Sequence, residues 1–368
     1  MDIRNLGPDG QPGKAKPAVT TPEARVQPPP TRRSTRSVTL SDVASLANVS
    51  PQTVSRTIRY PDLVSERTLE RVQWAITTTG YVPNLAASNL ASNRSRTVAA
   101  IIPSLSASVF ADALHGLDAV LTPSGYQLFV AVTDYDPRRE EELLRTLMGR
   151  RPEGVFIVGT RHTPASTALL AGSGVPVVET WNWTDDPIDN LVGFSNRDAI
   201  AAIVAHVVEK GYRHPTFAGS FGAGDWRAID RQASFRESVS RLLPGEPIRV
   251  VDSGTGVVDM ATGVELLDRT RAEHPETDVL MFASDVFATG AVLECTRRGI
   301  AMPDDIAITG FGDFEVAKHL VPTLTTVSVP NTEIGTTAGR LLLDRMTGAT
   351  AESSRVDLGF TVMPRESA

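Results

Sequence analysis

Between residues 98 and 311 the chain alternates short apolar runs with helix-length segments, and this alternation restricts the fold more than any other feature. VAAIIP, YQLFVAV, GVFIVG and VPVVET are separated by helical stretches near 108–123, 138–149 and 164–172. A second series sets PTFAGS, PIRVVDS, DVLMFAS and IAITGF among helices near 197–210, 227–242, 259–273 and 286–298. Strand–helix repetition of this kind specifies an α/β fold, with parallel strands and helices on both faces. The strands are too many for one comfortable sheet. The pattern therefore predicts two lobes divided near 195; the domain expected over residues 98–368 also has the chain recrossing near 326. Ligands of such folds sit outside the carboxyl ends of the strands.

Ahead of this region, residues 38–80 read as three short helices. Thr39 is a good N-cap with Asp42 three residues on, and Val38 and Val43 occupy the two positions of a hydrophobic staple. The first helix ends near Ala47, and Asn48 falls where the chain must turn, a place for a residue that tolerates the left-handed conformation. Ser50 caps the second helix, Pro51 takes its first position, and Val49 and Val54 form a second staple pair. A third helix starts at Ser65, carries Leu69, Val72 and Ile76 on one face, and stops at Gly80. Two helices joined by a tight turn, then a third, make a helix-turn-helix unit over residues 37–82.

Charge is distributed to match. Residues 1–36 carry 7 basic and 3 acidic side chains, residues 37–97 carry 6 and 4, and the remainder carries 23 and 36, which together give the net −7. A basic front on an acidic body suits a nucleic-acid reader attached to something else. Residues 1–36, rich in Pro, Gly and Thr with no apolar periodicity, read as a disordered tail. The lone cysteine, Cys295, rules out an intrachain disulfide, and no apolar run reaches the ~20 residues of a membrane span. Without an apolar leader the expected location is cytoplasmic, associated with the nucleoid. Residues 84–92 have helix-capable composition but almost no apolar face, and an isolated helix that short is marginal in water.

Candidate chemistry falls in two places. On the second helix, Gln52 can pair bidentately with adenine and Arg56 with guanine, four residues apart on one face, while Thr53, Ser55 and Thr57 can reach phosphates. At the strand ends, Ser284 and Asp285 can accept hydroxyl donors, Arg231 can fork onto a carboxylate, and Trp181 and Trp183 can stack on a sugar. Structural roles remain equally open for these: a helix cap, a surface ion pair, lobe packing. The six histidines stand at no metal-ligand spacing, and GSFGAG at 219–224 has the wrong glycine spacing for a dinucleotide loop. No metal, cofactor or catalytic cluster is expected, and hence no enzyme.

Residues 39–92, and VSPQTVSR and GYVPN within them, resemble the DNA-binding head and hinge of the lac-repressor (LacI/GalR) family. The remainder resembles that family's effector domain, which has the two-lobed periplasmic-binding-protein fold. The resemblance implies base reading by Pro51, Gln52 and Arg56, with Asn84 and Leu90 also counted as DNA-binding. Leu90 sits at the position of a leucine that enters the minor groove from a hinge helix, over residues 83–97. It further implies effector contacts from Arg231 in DRQASF, Asp285 in FASDVFATGA, and Phe110 and Val109. RHTP at 161–164, VPVVE, LVGFSN and LGFTVMP are similar to the gluconate-repressor branch, whose ligand is a sugar acid, and they make His162 a second candidate for its carboxylate. Pro51 stands where some relatives carry an aromatic residue. The implied protein is a homodimeric repressor on a palindromic operator, controlled by gluconate, ketogluconate or 6-phosphogluconate. A repressor controlled by a neutral sugar is the alternative. A periplasmic sugar-binding protein fits less well, since it has no use for a helix-turn-helix. A nucleotide-dependent enzyme would need a phosphate loop.

Overall fold

The computed structural model describes residues 38–82, 94–105, 107–222, 224–350 and 352–368, which form two compact units, 38–82 and 94 onward. Residues 1–37 and 83–93, which hold the expected tail and most of the expected hinge, lie outside the described residues, as do Asn84 and Leu90.

In the first unit, local sequence signals place the helix ends. α1 (Leu40–Ala47) starts at a reciprocal capping box: the Thr39 N–H donates to Asp42 Oδ2 at 2.8 Å while Thr39 Oγ1 accepts the Asp42 N–H at 3.3 Å. Asn48 closes the helix at φ 51°. In α2 (Pro51–Arg59), Ser50 Oγ accepts the Thr53 N–H at 3.1 Å. α3 (Glu66–Thr79) ends in Gly80 at φ 63°. Val43, Ala44, Ala47, Val54, Val72 and Ala75 form the core, with Val49, Ile58 and Ile76 packed at its border. Arg71 of α3 donates through Nη2 to the carbonyls of Ala47 and of Asn48 (2.9 Å to the latter), which ties α3 to the turn between the other two helices. Val38 is 38% exposed, so the first staple expected from the sequence buries Val43 alone.

The second unit holds two parallel sheets. The first is built from β1 (Thr97–Ile102), β2 (Gln127–Val132), β3 (Gly154–Val158), β4 (Val177–Thr180), β5 (Asn190–Gly193) and β11 (Arg355–Asp357), in the order β11-β5-β4-β3-β1-β2. α4 (Ser108–Leu121), α5 (Pro137–Met148) and α6 (Pro164–Gly172) connect its strands. The second sheet runs β7-β6-β8-β9, from β6 (Pro215–Gly219), β7 (Arg249–Asp252), β8 (Val279–Phe282) and β9 (Ala307–Thr309). Its helices are α7 (Asn196–Glu209), α8 (Trp226–Leu242), α9 (Met260–Glu273) and α10 (Asp285–Arg298). Central strands β1, β6 and β8 are buried along their whole length, as strands covered on both faces must be.

The chain crosses between the lobes after β5 and returns through β10 (Thr326–Ser328) into α11 (Asn331–Thr347). β11 then joins the first sheet, and β12 (Thr361–Met363) runs back antiparallel to β10. At the end of the chain, Ser367 Oγ donates to the Ile308 carbonyl at 2.6 Å in the second lobe. α11 lies directly against α4. A Cβ built on Gly335 would stand 1.9 Å from the Ala113 carbonyl oxygen, and one on Gly116 would stand 2.3 Å from that of Thr332. Glycine at both positions lets the two backbones meet.

Candidate functional site

On α2, Pro51, Gln52 and Arg56 are exposed and Thr53 and Ser55 partly so. Gln52 and Arg56, one turn apart, share an open face with the reach of a base-reading pair. Thr53 is already engaged, its Oγ1 lying 2.9 Å from Ser50 Oγ in the helix cap. Thr57 does not belong to this face: it is 4% exposed, and its hydroxyl donates to the Thr53 carbonyl at 2.8 Å, so the phosphate contact expected of it is excluded by burial.

In the second unit the strand ends of the two lobes enclose a cleft, with about 650 Å³ of space when the solvent at its open mouth is included. Phe110, Val109, Trp181, Arg231 and Ser284 all line it. Its walls are largely aromatic. Trp181 is 5% exposed and meets Phe110 edge-on at 5.2 Å, so packing fixes its ring. Ser284 caps α10 by accepting the Val286 N–H at 3.3 Å.

The charged groups come from the first turns of α8. Arg231 lies 4.4 Å over the Phe311 ring and donates through Nε to the Arg227 carbonyl at 3.2 Å. Burial lowers its pKa to about 10, partly offset by Asp225, which leaves it a cation at neutral pH. Arg227 also lines the cleft. Its guanidinium sits between Phe110 (5.5 Å) and Tyr135 (5.7 Å), and Nε donates to Asp225 Oδ1 at 3.2 Å. Asp225 is the N-cap of α8, and although burial opposes its charge, Arg227 and Arg231 hold its pKa below the usual range. Tyr135 is pushed up to about 12 by burial and by Asp225, so it remains a neutral donor. Two guanidiniums against one carboxylate leave the cleft with one excess positive charge.

Among the described residues, two buried polar atoms on cleft-lining side chains have no hydrogen-bond partner: Arg227 Nη1, a donor, and Asn331 Oδ1, an acceptor. An unpaired buried polar atom costs about 1–3 kcal/mol, so a ligand with an acceptor for the one and a donor for the other would be stabilised there. Arg227, Asp225, Tyr135 and Asn331 were not legible as site residues from the sequence. The available signal was spacing, since Arg227 is one helical turn before Arg231 and Asp225 stands at an N-cap.

Three candidates lie elsewhere. His162 does not line the cleft; its side chain is 1% exposed, with Nδ1 2.8 Å from Glu140 and Nε2 3.5 Å from Glu179. Burial alone would lower its pKa, but the two carboxylates raise it to about 9. Its charge is already matched, which removes it as a partner for a ligand carboxylate. Asp285 is fully buried, and both of its oxygens are occupied, by the Thr326 hydroxyl at 2.6 Å and the Phe314 N–H at 2.8 Å. It pins β10 and the loop after β9 to the start of α10 and does not line the cleft. Trp183 also lies outside the cleft lining. Among the described residues no group of His, Cys, Asp and Glu could hold a metal ion, and no helix is long and apolar enough to cross a membrane.

Residues 39–84 match the family model for bacterial regulatory proteins of the lacI family, and residues 204–368 match that for a periplasmic binding protein-like domain. The HTH-type transcriptional regulator GntR of Escherichia coli is 32% identical over 327 residues, 88% of this chain and 97% of that protein. GntR of Pseudomonas aeruginosa is 33% identical over 91% of this chain and 97% of its own length. Among solved structures, a LacI-family transcriptional regulator from Silicibacter pomeroyi superposes with a TM-score of 0.82 at 35% identity, covering 90% of this chain and 99% of its own.

Proposed function

Since the chain belongs to the lacI family of bacterial regulatory proteins, and is therefore a DNA-binding transcriptional regulator rather than an enzyme, we propose that it is a repressor whose operator affinity is set by a sugar acid. Gluconate and its relatives, ketogluconate and 6-phosphogluconate, are the ligands that this reading favours. The observation that carries it is the pair of cleft guanidiniums, Arg227 and Arg231, with a buried Nη1 on Arg227 awaiting an acceptor. A carboxylate supplies that acceptor and meets the excess positive charge, and ligand hydroxyls supply donors for Asn331 Oδ1. Kinship to regulators named GntR agrees with this choice.

On DNA, Gln52 and Arg56 read base edges, Pro51, Thr53, Ser55 and Asn84 add to the contact, and Leu90 enters the minor groove. Two copies of the chain, working in the cytoplasm, place two heads on the half-sites of a palindrome. Effector and operator then select between arrangements of the lobes, each ligand stabilising the one it binds better.

A thermal-shift series tests the ligand class. A ligand that binds only the folded state raises the unfolding temperature. One of the three sugar acids is expected to do so, and Arg227→Met to abolish the shift. A rise with neutral sugars and none with the acids would replace this reading with that of a neutral-sugar effector.

A further inference from the structure

One carboxylate crosses from the second lobe into the first, outside the set of groups that line the cleft. Asp230 lies in the opening turns of α8, immediately before Arg231 and three residues after Arg227. It is 7% exposed. Its Oδ1 accepts Arg161 Nη2 at 2.7 Å, and its Oδ2 accepts Asn182 Nδ2 at 3.2 Å. Arg161 follows β3 and Asn182 follows β4, so both donors belong to the first lobe. They are themselves held in place. The Arg161 guanidinium sits 5.6 Å over Trp226, and its neighbour His162 is wedged between Glu140 and Glu179. Asn182 Oδ1 accepts the Trp183 N–H at 3.0 Å and lies 3.4 Å from Asn196 Nδ2. Close by, Gly224 passes so near Tyr135 that a Cβ there would stand 1.7 Å from the Tyr135 carbonyl oxygen.

The opening turns of α8 are thus fastened to the opposite lobe through Asp230, while the residues on either side of it, Arg227 and Arg231, face the cleft. We infer that Asp230, through Arg161 and Asn182, is an interlobe latch that positions the two cleft arginines. This rests on reading the cleft as the effector site. Asp230 touches no ligand in this scheme. It acts by keeping α8 in register with the strand ends of the first lobe, so that both guanidiniums reach one carboxylate at once. A buried carboxylate with one charged and one amide donor loses both when the lobes separate, so the latch also weights the equilibrium toward the closed arrangement.

The test uses the full chain with Asp230→Ala, Arg161→Met and the double variant, followed by amide hydrogen exchange and by calorimetric titration with gluconate. The latch predicts faster exchange in two segments of different lobes, 159–163 and 226–231, in either single variant, with no increase in the double beyond that of Asp230→Ala. It also predicts gluconate binding weakened by about 10-fold in Arg161→Met, the order expected for losing one charge-assisted hydrogen bond, by at least as much in Asp230→Ala, which also loses the Asn182 bond, and no further in the double variant than in Asp230→Ala. Arg161 is half exposed, so Arg161→Met serves if Asp230→Ala fails to fold. Exchange that rises only in the segment carrying the substitution, or effects that add in the double variant, overturns the latch. Coupled exchange without gluconate binding in the wild type upholds the latch and overturns the effector reading instead.

Discussion

Replacing Asp285 by Asn is expected to stabilise the protein at neutral pH, although it neutralises a residue whose two hydrogen bonds look indispensable. The carboxylate is fully buried, and burial lifts its pKa from 3.8 to about 6 against the opposing pull of Thr326 and the Phe314 N–H. A folded-state pKa above the unfolded one means that the protonated form is favoured on folding. The associated stability is complete below pH 4 and is lost as pH rises through 6. A shift of about 2 units corresponds to ~3 kcal/mol, which the ionised wild type forgoes at pH 7. Asn resembles the protonated acid: its carbonyl accepts the Phe314 N–H and its amide donates to the Thr326 oxygen, whose hydroxyl rotates to suit. Urea unfolding of both proteins at pH 4, 5.5 and 7 measures the difference directly. Relative to wild type the Asn variant should gain stability as pH rises, from little at pH 4 to ~3 kcal/mol more at pH 7, with gluconate affinity changed less than about threefold, since the carboxylate does not line the cleft. A stability difference independent of pH would refute the burial argument, and loss of gluconate binding would return Asp285 to the ligand site.

Other perturbations probe other parts of the account. Gly335→Val should lower stability by about 3 kcal/mol or more in thermal unfolding, because its Cβ meets the Ala113 carbonyl at 1.9 Å and the neighbour is backbone that cannot swing aside. His162→Gln should cost about 3 kcal/mol below pH 6.5 and progressively less as pH rises toward 9, since the raised pKa gives a contribution present below the unfolded value and lost above the folded one; paired denaturation curves from pH 6 to 10 report it. Arg56→Ala should weaken operator binding by ~1–3 kcal/mol and relax preference at one base pair, measured by anisotropy on single-substituted operators, whereas an equal loss on every sequence would reduce Arg56 to a phosphate contact.

The parts of the fold legible in the sequence are those set by local rules. The head helices announce their ends through Thr39, Asn48, Ser50 and Gly80, each of which acts on backbone within a few residues. The strand–helix alternation over 98–311 is equally local, and the helices fall within a residue or two of their expected places. The segments not read from sequence owe their structure to distant partners. β10 and β12 exist because two crossing segments pair with each other, and α11 carries two glycines in an otherwise good helix because α4 lies against it. The same holds at the cleft. Arg231 is marked by its motif, but Arg227 becomes a site residue only through Phe110 and Tyr135 from the other lobe. Asp285 and His162 carry suitable chemistry, yet Thr326, Glu140 and Glu179 reach them first. Sequence identifies groups able to meet a ligand; only packing decides which remain available to do so.

The central claim is that a carboxylate in the cleft, held by Arg227 and Arg231, changes the grip on DNA. The most direct measurement is fluorescence anisotropy on an operator selected from a randomised palindromic library, at fixed salt, with gluconate and with sorbitol, the same chain of hydroxyls without the carboxylate. Gluconate should change the operator Kd of the wild type by at least about fivefold, the lower end of ordinary allosteric coupling, and leave Arg227→Met unmoved, while sorbitol alters neither. An equal response to gluconate and sorbitol, or an undiminished response in Arg227→Met, would contradict it.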